Sequence, residues 1–336
     1  MEKNTLIYGG GAIGSFLAIC LINSNHKVFF LCRKENYKKI KKKGLVVKVF
    51  NNKVLLNKYH IINNKNFIIS NSIDKFKTQK FDNIFITTKI TENLKKIFYK
   101  IEPYVDKKTL IITPCTSIPF WWYSCLKKNS IKKEKIRKNL DKIFVKNLKR
   151  KNLVGMTMWL SGKLKRPGNT DIKHIQRGFP IKEVFHEKNR MVNKLRNDIS
   201  KTCISPIPKN IFSEIFIKSI NSLAFNLIAL KYKQNNLKLS KNKKAKKEIL
   251  KILKEGDKIL KDNNIKIYQS AQSRIDQTLK STKHTMSMLY AFKKKKKIEL
   301  NQLWHSFDDL LKNINSKMNF TKKTFFEVKK KLNERI

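Results

Sequence analysis

Short runs of four to seven apolar residues alternate with helically spaced stretches through the first half of the chain, and after about residue 188 only the helical spacing remains. The apolar runs are TLIY (5–8), KVFFL (27–31), LVVKVF (45–50), NIFITT (83–88), TLIITP (109–114), one near LVGMTMWL (153–160) and TDIKHI (170–175). Runs of this length with helices between them predict a mostly parallel sheet covered on both faces. Apolar residues then recur at three- and four-residue intervals over Phe212–Tyr232, Lys244–Asp262, Tyr268–Lys280, Ile298–Ile314 and Lys322–Leu332, with no proline beyond Pro208. The expected architecture is α/β: a doubly wound, Rossmann-type dinucleotide-binding domain over residues 1–187, followed by an all-helical substrate domain over 188–336. The cleft between such domains is the default substrate site.

Within the first strand and helix, Gly9, Gly11 and Gly14 stand at G-x-G-x-x-G spacing. The first glycine permits the tight turn, the second lets backbone approach a pyrophosphate, and the third lets helix pack on strand. Gly10, Ala12 and Ile13 complete the turn. About twenty residues later, where an NAD-binding fold places an acid on the ribose 2′-hydroxyl, the chain has Arg33, followed by Lys34. A guanidinium can pair with a 2′-phosphate, so NADP(H) is the expected cofactor.

Composition changes this picture in two ways. The 336 residues carry 76 basic and 24 acidic side chains, a formal charge of +52. Lysine is spread along the whole length rather than gathered in a recognisable binding motif, so no specific nucleic-acid partner is expected, although nonspecific polyanion binding at low salt is. The stretch 127–152 is strongly basic and reads as a solvated helical insertion, and Lys293–Lys297 as a solvated connection. Cys20, Cys32, Cys115, Cys125 and Cys203 form no C-x-x-C pair and read as free thiols of a reducing, cytoplasmic compartment. No targeting segment and no run of about 18 apolar residues is evident, so no membrane is expected. The six histidines show no metal or triad spacing and are assigned to turns and surfaces, with no metal site.

Candidate chemistry concentrates in FSEIFIKSINSLAFNLIALKY. This helix is apolar nearly all round yet carries Lys218, Asn221, Ser222 and Asn226. At 100° per residue, Ser222 lies ~40° and Asn226 ~80° round from Lys218, with Asn221 ~60° to the other side. An ammonium flanked by neutral donors suits carbonyl reduction, in which a developing alkoxide must be protonated. A lysine snorkelling from a partly buried helix has the same pattern.

These residues resemble the 2-dehydropantoate 2-reductase (ketopantoate reductase) family over nearly the whole chain. IYGGGAIGS (7–15) is similar to its nucleotide motif, and FITTKI (85–90) to a strand whose closing lysine, here Lys89, reaches the cofactor. TPCTSIPFWWYS (113–124) resembles its Gln-Asn-Gly-Ile-Pro-Trp-Trp-Tyr segment, and KRPGNTDIKH (165–174) its Pro-Gly-Val-x-x-His turn. KSINSLAFN (218–226) resembles its Lys-x-x-x-Asn-x-x-x-Asn helix, and Ser287 and Glu299 keep its Ser…Glu separation. The resemblance implies NADPH-dependent reduction of ketopantoate to pantoate, for pantothenate and coenzyme A. It makes Lys218 the general acid and Glu299 a residue at the nicotinamide end that orients it. Ser222, Asn226 and Ser287 become substrate ligands, Thr116 a contact to both substrate and cofactor, and Gly9–Gly14 with Arg33 and Lys89 the cofactor site. Monomer and homodimer are both compatible with it.

The departures are Thr116 and Ser117 for Asn-Gly, Ser222 for the first helix asparagine, Ala291 for an aspartate and Phe216 for a tryptophan. They suggest that Asn221 partly substitutes for the missing amide. They also motivate one alternative, a reductase of a different 2-oxo acid, while the +52 charge motivates another, a catalytically eroded nucleotide- or polyanion-binding protein.

Overall fold

The computed structural model describes residues 2–51, 53–88, 94–114, 116–119, 121–122, 152–185, 189–280 and 284–333. The chain runs β1 (Lys3–Tyr8), α1 (Ala12–Ile22), β2 (His26–Leu31), α2 (Lys34–Lys43), β3 (Leu45–Asn51), β4 (Val54–Ile61), β5 (Phe67–Ser70) and β6 (Asn83–Ile86). It continues through α3 (Leu94–Ile101), β7 (Leu110–Ile112), β8 (Leu153–Met156), β9 (Trp159–Arg166), β10 (Asn169–Gly178), β11 (Ile181–Glu183) and α4 (Arg190–Ser200). Among the described residues, seven further helices follow: α5 (Ile211–Tyr232), α6 (Asn236–Lys241), α7 (Lys243–Asp262), α8 (Ala271–Lys280), α9 (Ser287–Lys293), α10 (Leu300–Ile314) and α11 (Asn319–Asn333).

Seven strands form one sheet in the order β11-β8-β7-β6-β1-β2-β5, parallel except for β11. The first strand lies centrally, with β2 on one side and β6 on the other, so the chain reverses its direction of winding at the carboxyl end of β1. That switch point is where open α/β sheets take ligands. The central strands β6, β7 and β8 are buried at every position, as strands covered on both faces must be.

A second, four-stranded sheet, β4-β3-β10-β9, was not expected, and LVVKVF and TDIKHI belong to it rather than to the main sheet. Leu45, Val47 and Val49 of β3 are buried while Val46, Lys48 and Phe50 are not, the alternation of a sheet with one covered face. Helix α1 packs on β1 and β2 on one side and on β3, β9 and β10 on the other. This double coverage explains why AIGSFLAICLI is apolar all round and buried from Gly14 to Ile22.

The chain divides into two compact units at other points than residue 187. Residues 189–211 belong with the sheets, because Val192, Leu195, Ile199 and Cys203 enter the same core as α1 and β10. Residues 116–119, 121 and 122 belong with the helices, since Trp121 and Trp122 are fully buried there against Phe212 and Phe216. Both tryptophans are thus core residues. The basic stretch 127–152 lies outside the described residues except for Asn152.

His26 departs from its expected place at the surface. It is buried at the amino end of the main sheet, between Thr5 Oγ1 (2.9 Å from Nδ1) and Asp198 Oδ2 (3.0 Å from Nε2), with Lys3 Nζ 3.6 Å from the same carboxylate. Burial lowers its pKa against the pull of Asp198, so the group clips α4 to β1 and β2 chiefly through hydrogen bonds. One described helix, α5, has the length and hydropathy to cross a bilayer, contrary to the expectation that no segment does; 78% of its apolar window is buried inside the protein.

Candidate functional site

The glycine turn is tied to the strands on either side of it. Gly9 N–H donates to Leu31 O (3.0 Å), Thr87 N–H to Tyr8 O (3.0 Å), and Thr87 Oγ1 to Gly9 O (2.8 Å). Gly9 has φ +132°, a conformation L side chains rarely adopt, and a Cβ on Gly14 would lie 2.1 Å from Gly9 O. A Cβ on Gly10 would stand 2.5 Å from Cys32 Cβ. These three glycines are required by the protein's own packing.

Gly11 differs, because nothing lies within 4 Å of a Cβ built there and its φ of −84° suits any residue. It occupies the cap position of α1 and offers no side-chain hydrogen bond to the first turn. Open space beside an uncapped helix amino terminus fits a pyrophosphate, which would accept from the backbone N–H groups of Ala12, Ile13 and Gly14. The residues of the cradle therefore fit the dinucleotide that the motif implies. Arg33 follows the end of β2 by two residues and caps α2, with both its side chain and that of Lys34 exposed at this edge. Lys89 lies outside the described residues.

In the helical unit, Lys218 is largely buried on α5, one turn after Glu214. Burial pulls its ammonium down to about 8 from an ordinary 10.5, with the Glu214 carboxylate opposing the shift. Four and eight residues further along the helix stand Ser222 and Asn226, of which Asn226 meets the start of α9. Asn226 Nδ2 donates to Ser222 O (2.8 Å) and reaches Ser222 Oγ at 3.5 Å. Asn226 Oδ1 accepts from Met288 N–H (3.0 Å) and Ser287 Oγ (3.3 Å). Asn226 thus caps α9 from the neighbouring helix, and Ser222, Asn226 and Ser287 form one polar cluster. That capping role was not legible in the sequence, and it occupies both acceptor positions of the amide oxygen.

Glu299 is the cap residue of α10, with its Oε1 shielded from solvent. Thr116 is exposed, and the segment after it is held to α10 through Ile118 N–H and Ser306 Oγ (3.4 Å) and to α5 through Trp122 Nε1–H and Phe212 O (2.8 Å). Phe216 packs between Trp122 and Phe307. Lys293–Lys297 are all exposed.

Asn221 is turned to another purpose. Its Oδ1 accepts from Arg274 Nη1 (3.2 Å), and Arg274, itself 1% exposed, pairs through Nη2 with both oxygens of Asp257. The amide belongs to a buried network joining α5, α7 and α8, so the suggested substitution for the missing substrate amide is not what its oxygen does. Asn221→Ala is expected to lower stability by about 1–2 kcal/mol and leave substrate KM unchanged. Arg274→Met, which strands the Asp257 charge, is expected to cost about 3 kcal/mol. Denaturant unfolding and steady-state kinetics on the two variants check both statements.

Residues 5–114 match the family model described as "Ketopantoate reductase PanE/ApbA". The sequence matches none of the curated proteins. Among solved structures, the chain is similar to D-mandelate dehydrogenase with NADH and anilino(oxo)acetate, at 20% identity and TM-score 0.76 with 98% of each chain covered. It is also similar to 2-dehydropantoate 2-reductase from Geobacter metallireducens GS-15, at 15% identity and TM-score 0.74, covering 97% of this chain and 99% of that one. A PanE/ApbA family ketopantoate reductase from Ralstonia eutropha JMP134 aligns at 13% identity and TM-score 0.72, covering 98% and 99%. Residues 5–114 are thus similar to the ketopantoate reductase PanE/ApbA family model, and along nearly its whole length the chain shares the fold of these solved structures.

Proposed function

We propose that the chain reduces 2-dehydropantoate to pantoate with NADPH, supplying pantothenate and coenzyme A synthesis in the cytoplasm. The observation that carries this reading is the ammonium of Lys218, held at about 8 on an apolar helix whose next two turns present Ser222 and Asn226 beside Ser287. Bound at the glycine cradle, the nicotinamide cofactor would supply the hydride. Lys218 gives its proton to the alkoxide oxygen that develops on the former ketone, and an ammonium weakened by burial does so more readily than one of ordinary pKa. It leaves the step as a neutral amine and regains a proton from solvent. Ser222 and Ser287 hydroxyls hold the substrate, and Asn226 fixes Ser287 and α9 relative to Ser222. Glu299 orients the lysine, and Thr116 offers one hydroxyl where the family has an amide. The positive field of the chain draws in a 2-oxo carboxylate. Buried free thiols at Cys20, Cys32 and Cys203 suit a reducing compartment.

NADPH oxidation with ketopantoate, in wild type and in Lys218→Met, tests the reading. Arg33 is assigned to the 2′-phosphate. Arg33→Ala is expected to weaken NADPH about tenfold while leaving NADH unchanged, as loss of one charge-assisted contact requires, and fluorescence titration of both cofactors measures it. A second reading, reduction of another 2-oxo acid, is favoured by Thr116 and Ser222 and by the likeness to a D-mandelate dehydrogenase. Specificity constants over a panel of keto acids separate the two.

A further inference from the structure

The outward face of the four-stranded sheet is built in rows that the reductase reading does not use. Strand register places Lys58, Lys48, Asp171 and Lys163 side by side across β4, β3, β10 and β9. The next row is Leu55, Phe50, Lys173 and Ser161, with Lys173 Nζ 5.0 Å over the Phe50 ring. Asp171 is the single acid in these rows, and Lys165 pairs with it at 3.3 Å. Lys48 and Lys58 are direct cross-strand neighbours, and Asp171, on the other side of Lys48, is buried and paired with Lys165, so the charge this face offers to solvent is positive. Along the β4 edge, a register shift makes Leu56 the extra residue between Leu55, opposite Phe50, and Asn57, opposite Val49. Val54, Leu55 and Leu56 are consecutively exposed, at 65%, 47% and 56%. Three adjacent aliphatic side chains in water at a lysine-rich edge mark a contact surface rather than an ordinary strand end.

We propose that this face docks on an anionic lipid surface, with the lysine rows against headgroups and Val54, Leu55 and Leu56 entering the headgroup–acyl boundary. Charge complementarity selects the occupant. A second copy would set lysine rows against lysine rows. Nucleic acid would stack on exposed aromatics, whereas the one aromatic in these rows, Phe50, is covered by Lys173 and the exposed apolar groups are aliphatic. The contact is peripheral, engages only the sheet-bearing unit, and stands independently of the catalytic reading.

Vesicle co-sedimentation at about 0.15 M salt, where screening removes long-range attraction, tests it with phosphatidylcholine vesicles lacking or containing about one third phosphatidylglycerol. The full chain is expected to bind only the anionic vesicles, and Leu55→Ser with Leu56→Ser, which leaves the charge unchanged, to lower the partition coefficient about tenfold. Lys48→Gln with Lys58→Gln is expected to weaken binding more than Lys244→Gln with Lys247→Gln, an equal charge change on exposed positions of α7. Equal losses in the two lysine pairs, together with undiminished binding in the leucine variant, would mean diffuse charge and overturn the proposal. So would a leucine-dependent dimer in analytical ultracentrifugation with unchanged vesicle binding. Single-stranded oligonucleotide affinity that depends on Lys48 and Lys58, without leucine-dependent vesicle binding, would give the face to nucleic acid instead.

Discussion

Lys218→Met is expected to lower kcat by about a thousandfold with NADPH affinity unchanged, because it removes a proton donor and nothing from the glycine cradle. In wild type, reduction requires the protonated amine, so kcat is expected to be level below pH 8 and to fall as pH rises through about 8. Stability moves in the opposite sense. The unfolded amine titrates near 10.5 and the folded one at about 8, so between these values the unfolded chain holds more protons and stability rises with pH. The cost of the buried charge is therefore fully present below pH 8, and Lys218→Met is expected to be more stable than wild type at pH 7 by roughly 2 kcal/mol, converging with it above pH 10.5. A melting series against pH measures this. A variant both inactive and less stable at pH 7 would identify Lys218 as a structural residue.

Gly11→Ala and Gly14→Ala should separate ligand from packing. At Gly14 the added methyl meets Gly9 O at 2.1 Å, backbone against backbone, and the loss of stability is expected to be about 3 kcal/mol or more. At Gly11 the methyl enters open space, so stability should change by less than about 1 kcal/mol, in line with the small preference for glycine at a helix cap. The same methyl stands where a pyrophosphate must approach, and NADPH affinity is expected to fall about a hundredfold. Thermal unfolding without cofactor, set beside fluorescence titration with it, gives both quantities. Unimpaired NADPH binding by Gly11→Ala would remove the cradle from the cofactor site.

Where local pattern determines structure, the sequence was readable. The strand–glycine–helix entry, the fully buried central strands and the long amphipathic helices appear at their expected positions, because period and turn chemistry act within a dozen residues. The second sheet was not readable, because β3 finds its partner β10 more than a hundred residues later and β4 carries no strand alternation of exposure at all. Short helices such as α4, α6 and α9 were missed for a related reason, since each is stabilised by contacts from elsewhere. Asn226 of α5 caps α9, for example. The polar face of α5 was legible as a set, yet its division was not. Asn226 turns to α9 and reaches back to Ser222, whereas Asn221 turns to Arg274, which lies 53 residues away in the chain. Helical angles say which residues share a face and nothing about which neighbour that face meets.

The tryptophan pair ties the order of synthesis to the order of assembly. Trp121 and Trp122 emerge from the ribosome some ninety residues ahead of the helix whose Phe212 and Phe216 enclose them. Until that helix arrives they are two large apolar surfaces without a core. A nascent chain arrested between the two segments is accordingly a natural client for chaperones that shield apolar surface, and a fragment beginning at Phe212 would lack the centre of its own interior.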